Sequence, residues 1–312
     1  KVCDKYQIPT AKFGVYEDQK SALDFLLQCK YPIVIKADGL AAGKGVYICE
    51  TKEHSKIAIN EIFAGKFGEP NQVLIEEFLQ GEEMSFFIIS DGKSFKKFGT
   101  AQDHKRVGEN DTGLNTGGMG AVSPVPFANR EFLDKVENQV IIPTVKGLRK
   151  EGIDYTGFIF FGLISVKGDP YVIEYNCRLG DPETEVIMPR LKSDILELFD
   201  GIATNTLSER DVEIDLRSAA TIMLVSGGYP ENYEKNKEIT MGEFDEKSMV
   251  FHAGTSIKNN KIVTNGGRVV AVTSYGKNLE TAINTSYNNI SQIKFENQYF
   301  RKDIGRDVTS KN

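Results

Sequence analysis

Residues 170–185 read PYVIEYNCRLGDPETE and carry two oxygen-bearing side chains two positions apart. Side chains alternate between the faces of a β-strand, so a strand over 172–176 places Glu174 and Asn176 on one face and Tyr175 on the other. A carboxylate and an amide oxygen side by side are ligands suited to Mg²⁺. The alternative is an ordinary strand end with solvated polar residues, which this pattern alone does not exclude.

The same stretch also predicts how the chain continues. If the strand extends further, Arg178 joins the face of the two candidate ligands. Asp181 followed by Pro182 is typical of a helix N-cap with proline in the first turn. We therefore expect a helix over about 182–203, directly after the candidate metal strand.

Composition limits the class of protein. The chain has 312 residues, of which 40% are hydrophobic and 26% charged, an ordinary globular balance with room for two or three domains. Its net charge is −6, and it has no block of five or more Lys and Arg residues, which argues against a nucleic-acid-binding surface. A local basic pocket for phosphates stays compatible with this balance.

Cysteine usage and hydropathy predict a cytoplasmic protein without a membrane segment. The four cysteines show no C-x-x-C spacing and are typical of thiols in a reducing compartment. No apolar run approaches the roughly 18 residues that a membrane helix needs, and the start has no signal peptide. The opening KVCDKYQIP is typical of a helix end and turn, so we expect a segment upstream of it.

A glycine-rich loop, GLAAGKG over 39–45, lies between a predicted strand ending at Lys36 and another over 46–49. Glycines let backbone N–H groups approach phosphates, and Lys44 would supply a positive charge. The spacing is not that of a Walker A loop, which has G-x-x-x-x-G-K-[ST] and a helix after it. A flexible turn is the alternative interpretation.

The next elements are a predicted helix over 51–65, with Thr51 as its N-cap, and predicted strands over 73–78 and 84–89. The link between the two strands is where an adenine edge could meet backbone donors and acceptors. Glu83 would then be placed to bind a ribose hydroxyl. Two acidic residues on an exposed hinge are the alternative explanation.

The segment 102–124, QDHKRVGENDTGLNTGGMGAVSP, combines acidic, basic and glycine residues with little hydrophobicity. Such a segment cannot form a core, and long ordered loops are commonly functional, although a disordered linker is the alternative. We set His104 aside as a catalyst, because a lone histidine is more often structural. Further on, the sequence predicts an amphipathic helix over 130–150 and a buried strand over 157–166.

After about residue 208 the pattern changes to strands and turns, and an apolar stripe predicts a last helix over 279–293. This region is expected to form a separate α/β domain.

Four motifs in this order, VIKADGLAAGKGV, IEEFLQGEEMSF, QDHKR followed by NTGGMGA, and EYNCRLGDPE, resemble the glycinamide ribonucleotide synthetase (phosphoribosylamine–glycine ligase) family of the ATP-grasp superfamily. The resemblance covers essentially the whole chain. It implies an α/β (α+β) ATP-grasp fold of two lobes, whose antiparallel sheets clamp a nucleotide, plus a small C-terminal α/β domain. The implied divisions are a small lobe with the phosphate loop at 1–80, a large lobe with the metal and substrate loops at 81–208, and the C-terminal domain at 209–312.

The resemblance also implies roles for individual residues. It assigns the divalent metal, Mg²⁺ or Mn²⁺, to Glu174 and Asn176, and charge neutralisation during catalysis to Arg178 and Lys44. ATP would contact Lys36, Gly43, Lys44, Gly45, Glu76, Glu77, Phe78, Leu79 and Glu83. The other substrates would contact Asp103, Lys105, Arg106, Asp111, Asn115, Thr116, Gly117, Gly118, Met119, Gly120, Arg178 and Asp181.

Two departures from the family pattern affect these expectations. Many ATP-grasp enzymes carry another acidic metal ligand on the preceding strand, where this chain has Phe160, Phe161 and Gly162, so the number of metal ions stays open. The family also begins with an α/β domain of about one hundred residues, and we expect this chain to correspond to the enzyme without that domain. We expect that domain to be either removed from this chain or carried by another one.

The reaction implied is the ATP-dependent joining of glycine to 5-phosphoribosylamine through glycyl phosphate. Such chemistry needs positioning and charge neutralisation rather than an enzyme nucleophile, and no nucleophile–base pair is evident in the sequence. Two alternatives stay open: an ATP-grasp ligase for a different carboxylate and amine, and a non-catalytic nucleotide-binding module that needs a partner domain. No nucleic-acid or membrane partner is expected.

Overall fold

The computed structural model describes residues 2–38, 45–68 and 72–309. The chain divides into two compact units. The smaller unit consists of Pro9–Glu82 and Ile164–Ile173, and the larger unit contains the rest of the chain. Antiparallel strand pairing dominates both units, as expected for the predicted α/β (α+β) class.

The smaller unit is built on a four-stranded antiparallel sheet with the order β1-β4-β2-β3. The strands predicted over 46–49 and 73–78 are confirmed, although the second ends one residue early. Ile33 and Ile35 point to one face of their strand and pack in a hydrophobic core with Ile59 of the helix that follows the sheet hairpin. The strands are β1 (Phe13–Tyr16), β2 (Ile33–Ala37), β3 (Val46–Cys49) and β4 (Val73–Glu77).

The larger unit is organised by an eight-stranded sheet with the order β11-β10-β5-β6-β9-β12-β17-β14, and residues 164–173 of β10 and β11 group with the smaller unit. The long strands are rich in Phe, Ile and Val, which suits a sheet buried on both faces. Strands β5 to β18 are Glu82–Ser90, Phe95–Asp103, Arg106–Gly108, Thr112–Asn115, Gly120–Ser123, Gly157–Val166, Asp169–Asn176, Ser218–Val225, Thr240–Met241, Ser248–His252, Thr255–Lys258, Lys261–Thr264, Arg268–Gly276 and Ile293–Lys294.

The helix predicted over 51–65 begins where local capping predicts. Thr51 accepts a hydrogen bond from the His54 amide at 3.2 Å, which confirms it as the N-cap of the predicted helix. The predicted last helix is also confirmed, and Ala282 and Ile283 on it pack in the core formed with β12 and β17. The helices are α1 (Val2–Lys5), α2 (Gln19–Phe25), α3 (Lys52–Phe63), α4 (Arg130–Val136), α5 (Ile142–Lys150), α6 (Thr184–Ile187), α7 (Ile195–Ala203), α8 (Leu279–Ile290) and α9 (Arg306–Thr309).

Two helix predictions are corrected by the structure. The helix expected over 130–150 is interrupted by a π-helical stretch, Glu137–Ile141, between α4 and α5. The helix expected over 182–203 is two short helices, α6 and α7, separated by a 3₁₀ turn and a break. Asp181 is not its N-cap, because α6 begins only at Thr184 and no side chain caps it.

The C-terminal region shares the sheet of the preceding region. Strand β12 pairs antiparallel with β9, so one sheet runs from the predicted large lobe into the region after residue 208. The three-part division into lobes and a C-terminal domain, at residues 80 and 208, stays a prediction. Among the described residues, no helix is both long enough and apolar enough to cross a membrane.

Candidate active site

The predicted metal strand has the expected geometry. Glu174 and Asn176 lie on one face at the end of β11, with the Asn176 Nδ2 atom 3.4 Å from a Glu174 carboxylate oxygen. Gly162 on the neighbouring strand makes room for this carboxylate, because a Cβ atom there would lie 2.8 Å from Glu174 Cγ. The strand ends at Asn176, so Arg178 lies beyond it and does not continue the face as predicted.

This pair fits a hard divalent cation that keeps most of its other ligands from water and phosphate. Rotation of the Asn176 amide about χ2 would turn its oxygen, in place of Nδ2, toward the Glu174 carboxylate. Within the described part of the chain, no three His, Cys, Asp or Glu side chains converge as a metal cage made of protein alone would require. A two-ligand site is what Mg²⁺ commonly uses when a substrate phosphate completes its coordination.

A cluster of charges surrounds Lys105 in the larger unit. Its ammonium lies 3.1 Å from the Glu83 carboxylate, and the negative charge of Asp103 is the main cause that raises the pKa of Lys105, with Glu83 and Glu174 adding to it. The family resemblance assigns these residues to three different ligands, and the structure brings them into one electrostatic cluster. Carboxylates outnumber the single ammonium, so the cluster favours an additional cation.

Glu183 is a member of this cluster that sequence analysis did not identify. Its side chain is buried, and one carboxylate oxygen accepts a hydrogen bond from Ser85 Oγ at 2.8 Å. Burial, followed by the nearby charge of Asp103, raises the pKa of Glu183 to about 7. Burial also raises the pKa of Asp103 against the opposing effect of Lys105, so the two carboxyl groups compete for protons.

The first half of the predicted substrate loop is a β-hairpin formed by β7 and β8, where Arg106 pairs with Asn115. The Arg106 guanidinium donates to the Gly113 carbonyl at 2.7 Å. Asp111 accepts a hydrogen bond at 2.8 Å from Arg301, a fully buried arginine near the C-terminus. The Asp111 carboxylate is therefore already engaged in an ion pair, while Asn115 is exposed.

The second half of the loop turns back against the core. Thr116 Oγ1 donates to the Lys105 carbonyl and accepts from the Gly118 amide, which fixes the turn. Gly118 has a φ of +114° and lies so close to Pro182 that a Cβ atom would be 2.2 Å from the proline ring. Met119 is fully buried in the hydrophobic core, and Gly120 starts β9, so only backbone atoms there could face a ligand.

His104 is buried at the end of β6, and its Nε2 atom lies 3.0 Å from Asp307 and 3.2 Å from the Gly305 amide. These contacts with the C-terminal residues support the structural role expected for this histidine. Arg178, in contrast, is exposed and donates only to the Leu179 carbonyl among the described residues. Its guanidinium therefore has donors available for an anion.

Lys36 makes two polar contacts within the smaller unit. Its ammonium lies 2.7 Å from Glu76, with both side chains less than one-fifth exposed, and it also donates to the Ile173 carbonyl at 3.1 Å. An ammonium has three N–H donors, so one remains for a phosphate oxygen. The sequence predicted both residues as nucleotide contacts, and the structure places them on neighbouring strands.

The remaining predicted nucleotide contacts lie on the same unit. Glu77 accepts from the Lys12 amide at 2.9 Å, Phe78 is 38% exposed beyond the end of β4, and Leu79 is half-buried. Gly43 and Lys44 of the glycine loop lie outside the described residues. The next residue, Gly45, is buried, and its carbonyl accepts from the Ala37 amide at 2.9 Å.

Comparison with protein families gives two matches in chain order. Residues 1–184 match the ATP-grasp (A) domain of phosphoribosylglycinamide synthetase, and residues 219–307 match the C domain of the same protein. The first match contains the candidate metal strand, the charge cluster and the glycine loop. The second covers all but the first residue of β12, all of β13 to β18 and the first two of the four residues of α9.

Individual relatives agree with these matches. A phosphoribosylamine–glycine ligase of Agrobacterium fabrum is 44% identical over 306 residues, which are 97% of this chain and 72% of that protein. The bifunctional purine biosynthetic protein PUR2,5 of Pichia angusta is 44% identical over 305 residues, and the chain covers 39% of its length. The crystal structure of phosphoribosylamine–glycine ligase from Thermotoga maritima matches with a TM-score of 0.86 and 37% identity, covering 97% of this chain and 76% of that one.

Proposed function

Because this chain belongs to the phosphoribosylglycinamide synthetase family, with the ATP-grasp domain followed by the C domain, we propose that it joins glycine to 5-phosphoribosylamine in a reaction driven by ATP. The products are glycinamide ribonucleotide, ADP and phosphate, in purine biosynthesis. The observation that carries the proposal is the Glu174–Asn176 pair beside the charge cluster of Lys105. We place the reaction in the cytoplasm, which suits four cysteines that form no disulfide with one another.

The chemistry has two steps. A carboxylate oxygen of glycine attacks the γ-phosphorus of ATP, and the bond to ADP breaks to leave glycyl phosphate. The nitrogen of 5-phosphoribosylamine then attacks the carbonyl carbon, phosphate leaves, and the nitrogen releases a proton. Neither step needs a nucleophile from the protein, so the protein has to hold the reactants in line and neutralise charge.

Lysine and arginine side chains offer N–H donors that suit phosphate groups. Lys36 retains a donor after its contacts with Glu76 and Ile173, and exposed Arg178 is available for charge that develops on the transferred phosphoryl group. We keep Lys44, with Gly43 and Gly45, as further phosphate contacts. Magnesium or manganese bound by Glu174 and Asn176 would neutralise phosphate charge.

The other nucleotide and substrate contacts are assigned by chemical complementarity as well. We assign adenine to 76–79 and the ribose to Glu83, whose ion pair with Lys105 is exposed enough to exchange for a hydroxyl. The acidic cluster around Asp103 suits the ammonium group of glycine. The segment 105–120 and Asp181 are assigned to the substrates other than ATP.

Phosphate release tests the proposal directly. The chain is mixed with Mg-ATP, glycine and 5-phosphoribosylamine, and phosphate and glycinamide ribonucleotide are measured, with alanine and serine replacing glycine as controls. We expect product only with glycine. Product with another amino acid in preference to glycine would make the chain a different ATP-grasp ligase, and ATP binding without phosphate release under every combination would make it a non-catalytic nucleotide-binding module.

A further inference from the structure

Two residues of the C-terminal region hold the glycine turn of the substrate loop. The Gly117 amide donates to the Tyr229 hydroxyl at 2.9 Å, and its carbonyl accepts from the Arg268 guanidinium. The Cα atom of Gly117 lies against that guanidinium so closely that a Cβ atom would be 2.8 Å from Arg268 Cζ. Three sides of one residue are therefore fixed from a part of the chain more than one hundred residues away.

The same guanidinium holds a second segment. Arg268 donates to the Asp181 carbonyl at 3.0 Å and to an Asp181 carboxylate oxygen at 2.7 Å. Its side chain is 19% exposed, against 54% for Asp181. A planar guanidinium can serve several acceptors in fixed directions, which a lysine ammonium on a flexible stem cannot do equally well.

These contacts join two segments that already pack on each other, since Gly118 lies against the ring of Pro182. Arg268 thus bridges the segment 116–118, which follows β8, and the turn 181–182, which follows the strand that carries Glu174 and Asn176. The second carboxylate oxygen of Asp181 accepts no hydrogen bond from the described residues, so it is left available for a ligand.

We propose that Arg268, assisted by Tyr229, is a positioning residue for the substrates other than ATP. It holds Gly117 and Asp181 in the arrangement in which backbone and carboxylate groups meet glycine or 5-phosphoribosylamine. The inference rests on the proposed function for the identity of those substrates. It makes the C domain part of the construction of the site, although Arg268 itself need not touch a reacting atom.

The test compares Arg268→Met, Arg268→Lys and Tyr229→Phe with the control Arg217→Met. Arg217 forms an ion pair with Asp215 at 2.6 Å in the same unit, and in the described part of the chain it contacts none of the assigned site residues. The control therefore removes an arginine–aspartate pair elsewhere. Amide hydrogen exchange is followed in peptides covering 112–120 and 178–186. The KM values for glycine, 5-phosphoribosylamine and ATP are then measured.

We expect Arg268→Met to accelerate exchange in those two peptides about 10-fold or more and to raise KM for glycine or 5-phosphoribosylamine by about 10- to 100-fold, with KM for ATP changed less than about twofold. Arg268→Lys should have an intermediate effect, Tyr229→Phe a smaller one on residues 116–118, and the control none. Unchanged exchange and KM in Arg268→Met would overturn the inference. Exchange accelerated equally throughout the larger unit would also overturn it, because Arg268 would then be merely structural.

The exchange measurement needs no activity and tests by itself whether Arg268 holds the two turns in place. If the wild-type chain forms no product, the proposed function fails while localised exchange still supports the bridge by Arg268. If the wild-type chain is active and Arg268→Met has normal KM values, the proposed function holds and the inference about Arg268 is rejected.

Discussion

Glu183→Gln is expected to change how stability depends on pH. Glu183 is 3% exposed, and its pKa rises from an ordinary value of 4.5 to about 7, first because of burial and then because of Asp103. A raised pKa means that the folded state binds the proton more tightly than the unfolded state. Stability contributed by the protonated form is therefore complete below pH 4.5 and is lost as the pH rises toward 7.

The size of the effect follows from the same two values. At about 1.4 kcal/mol for each pH unit, the rise from 4.5 to about 7 corresponds to a loss of about 3 kcal/mol between those pH values. Glutamine keeps an oxygen that can accept from Ser85 but carries no charge. The variant should therefore match the wild type near pH 4.5 and be more stable by up to about 3 kcal/mol at pH 8.

Urea unfolding followed by far-ultraviolet circular dichroism at pH 4.5, 6 and 8 measures the difference. The matched control is Glu137→Gln, which removes a carboxylate from an exposed pair with Lys97 and should change stability by less than about 1 kcal/mol. Asp103→Asn should narrow the pH range over which stability changes, because it removes the negative charge that helps to raise the pKa of Glu183. Parallel pH profiles for wild type and Glu183→Gln would refute the assignment of a buried, proton-binding carboxyl group.

Three further substitutions test other parts of the site. Glu174→Gln should leave ATP binding intact but reduce turnover by about 100-fold or more, measured as phosphate release, and near-normal turnover would contradict the metal assignment. Gly162→Ala should displace the Glu174 carboxylate and weaken Mn²⁺ binding about 10-fold by calorimetry, whereas unchanged affinity would show that the close approach is unimportant. Arg301→Met should destabilise the protein by about 3 to 5 kcal/mol in urea, because it leaves the carboxylate of Asp303, whose side chain is only 11% exposed, without its partner. The same measurement should give less than about 1 kcal/mol for Arg217→Met, and equal effects would argue against the importance of the ion pair of buried Arg301.

Local periodicity predicted the elements that carry the site better than it predicted their surroundings. The strand with Glu174 and Asn176 followed from alternation alone, because the face of a side chain in a strand depends only on its position. Helix continuity was harder to predict. An apolar stripe continued across 137–141, where the chain adopts a π-helical stretch, and no local pattern marked the break between α6 and α7.

Contacts between distant residues could not be predicted from the sequence. Arg268 is 87 residues from Asp181, and Arg301 is 190 residues from Asp111, so no local spacing links either pair. Glu183 lies in the run PETE with two other polar residues, and nothing in that run distinguishes the buried carboxyl group from its neighbours. Burial depends on tertiary packing, and the pKa of Glu183 depends in turn on burial.

Under the proposed function, a chain with a net charge of −6 has to bind a polyanionic substrate. The carboxylates of Glu83, Asp103 and Glu174 surround one ammonium, so this part of the larger unit repels free phosphate and attracts cations. ATP complexed with a divalent cation satisfies that preference, and the ammonium group of glycine does so as well. Excess negative charge around Lys105 is consequently a requirement of the proposed reaction, because it favours the metal complex of ATP over the free nucleotide.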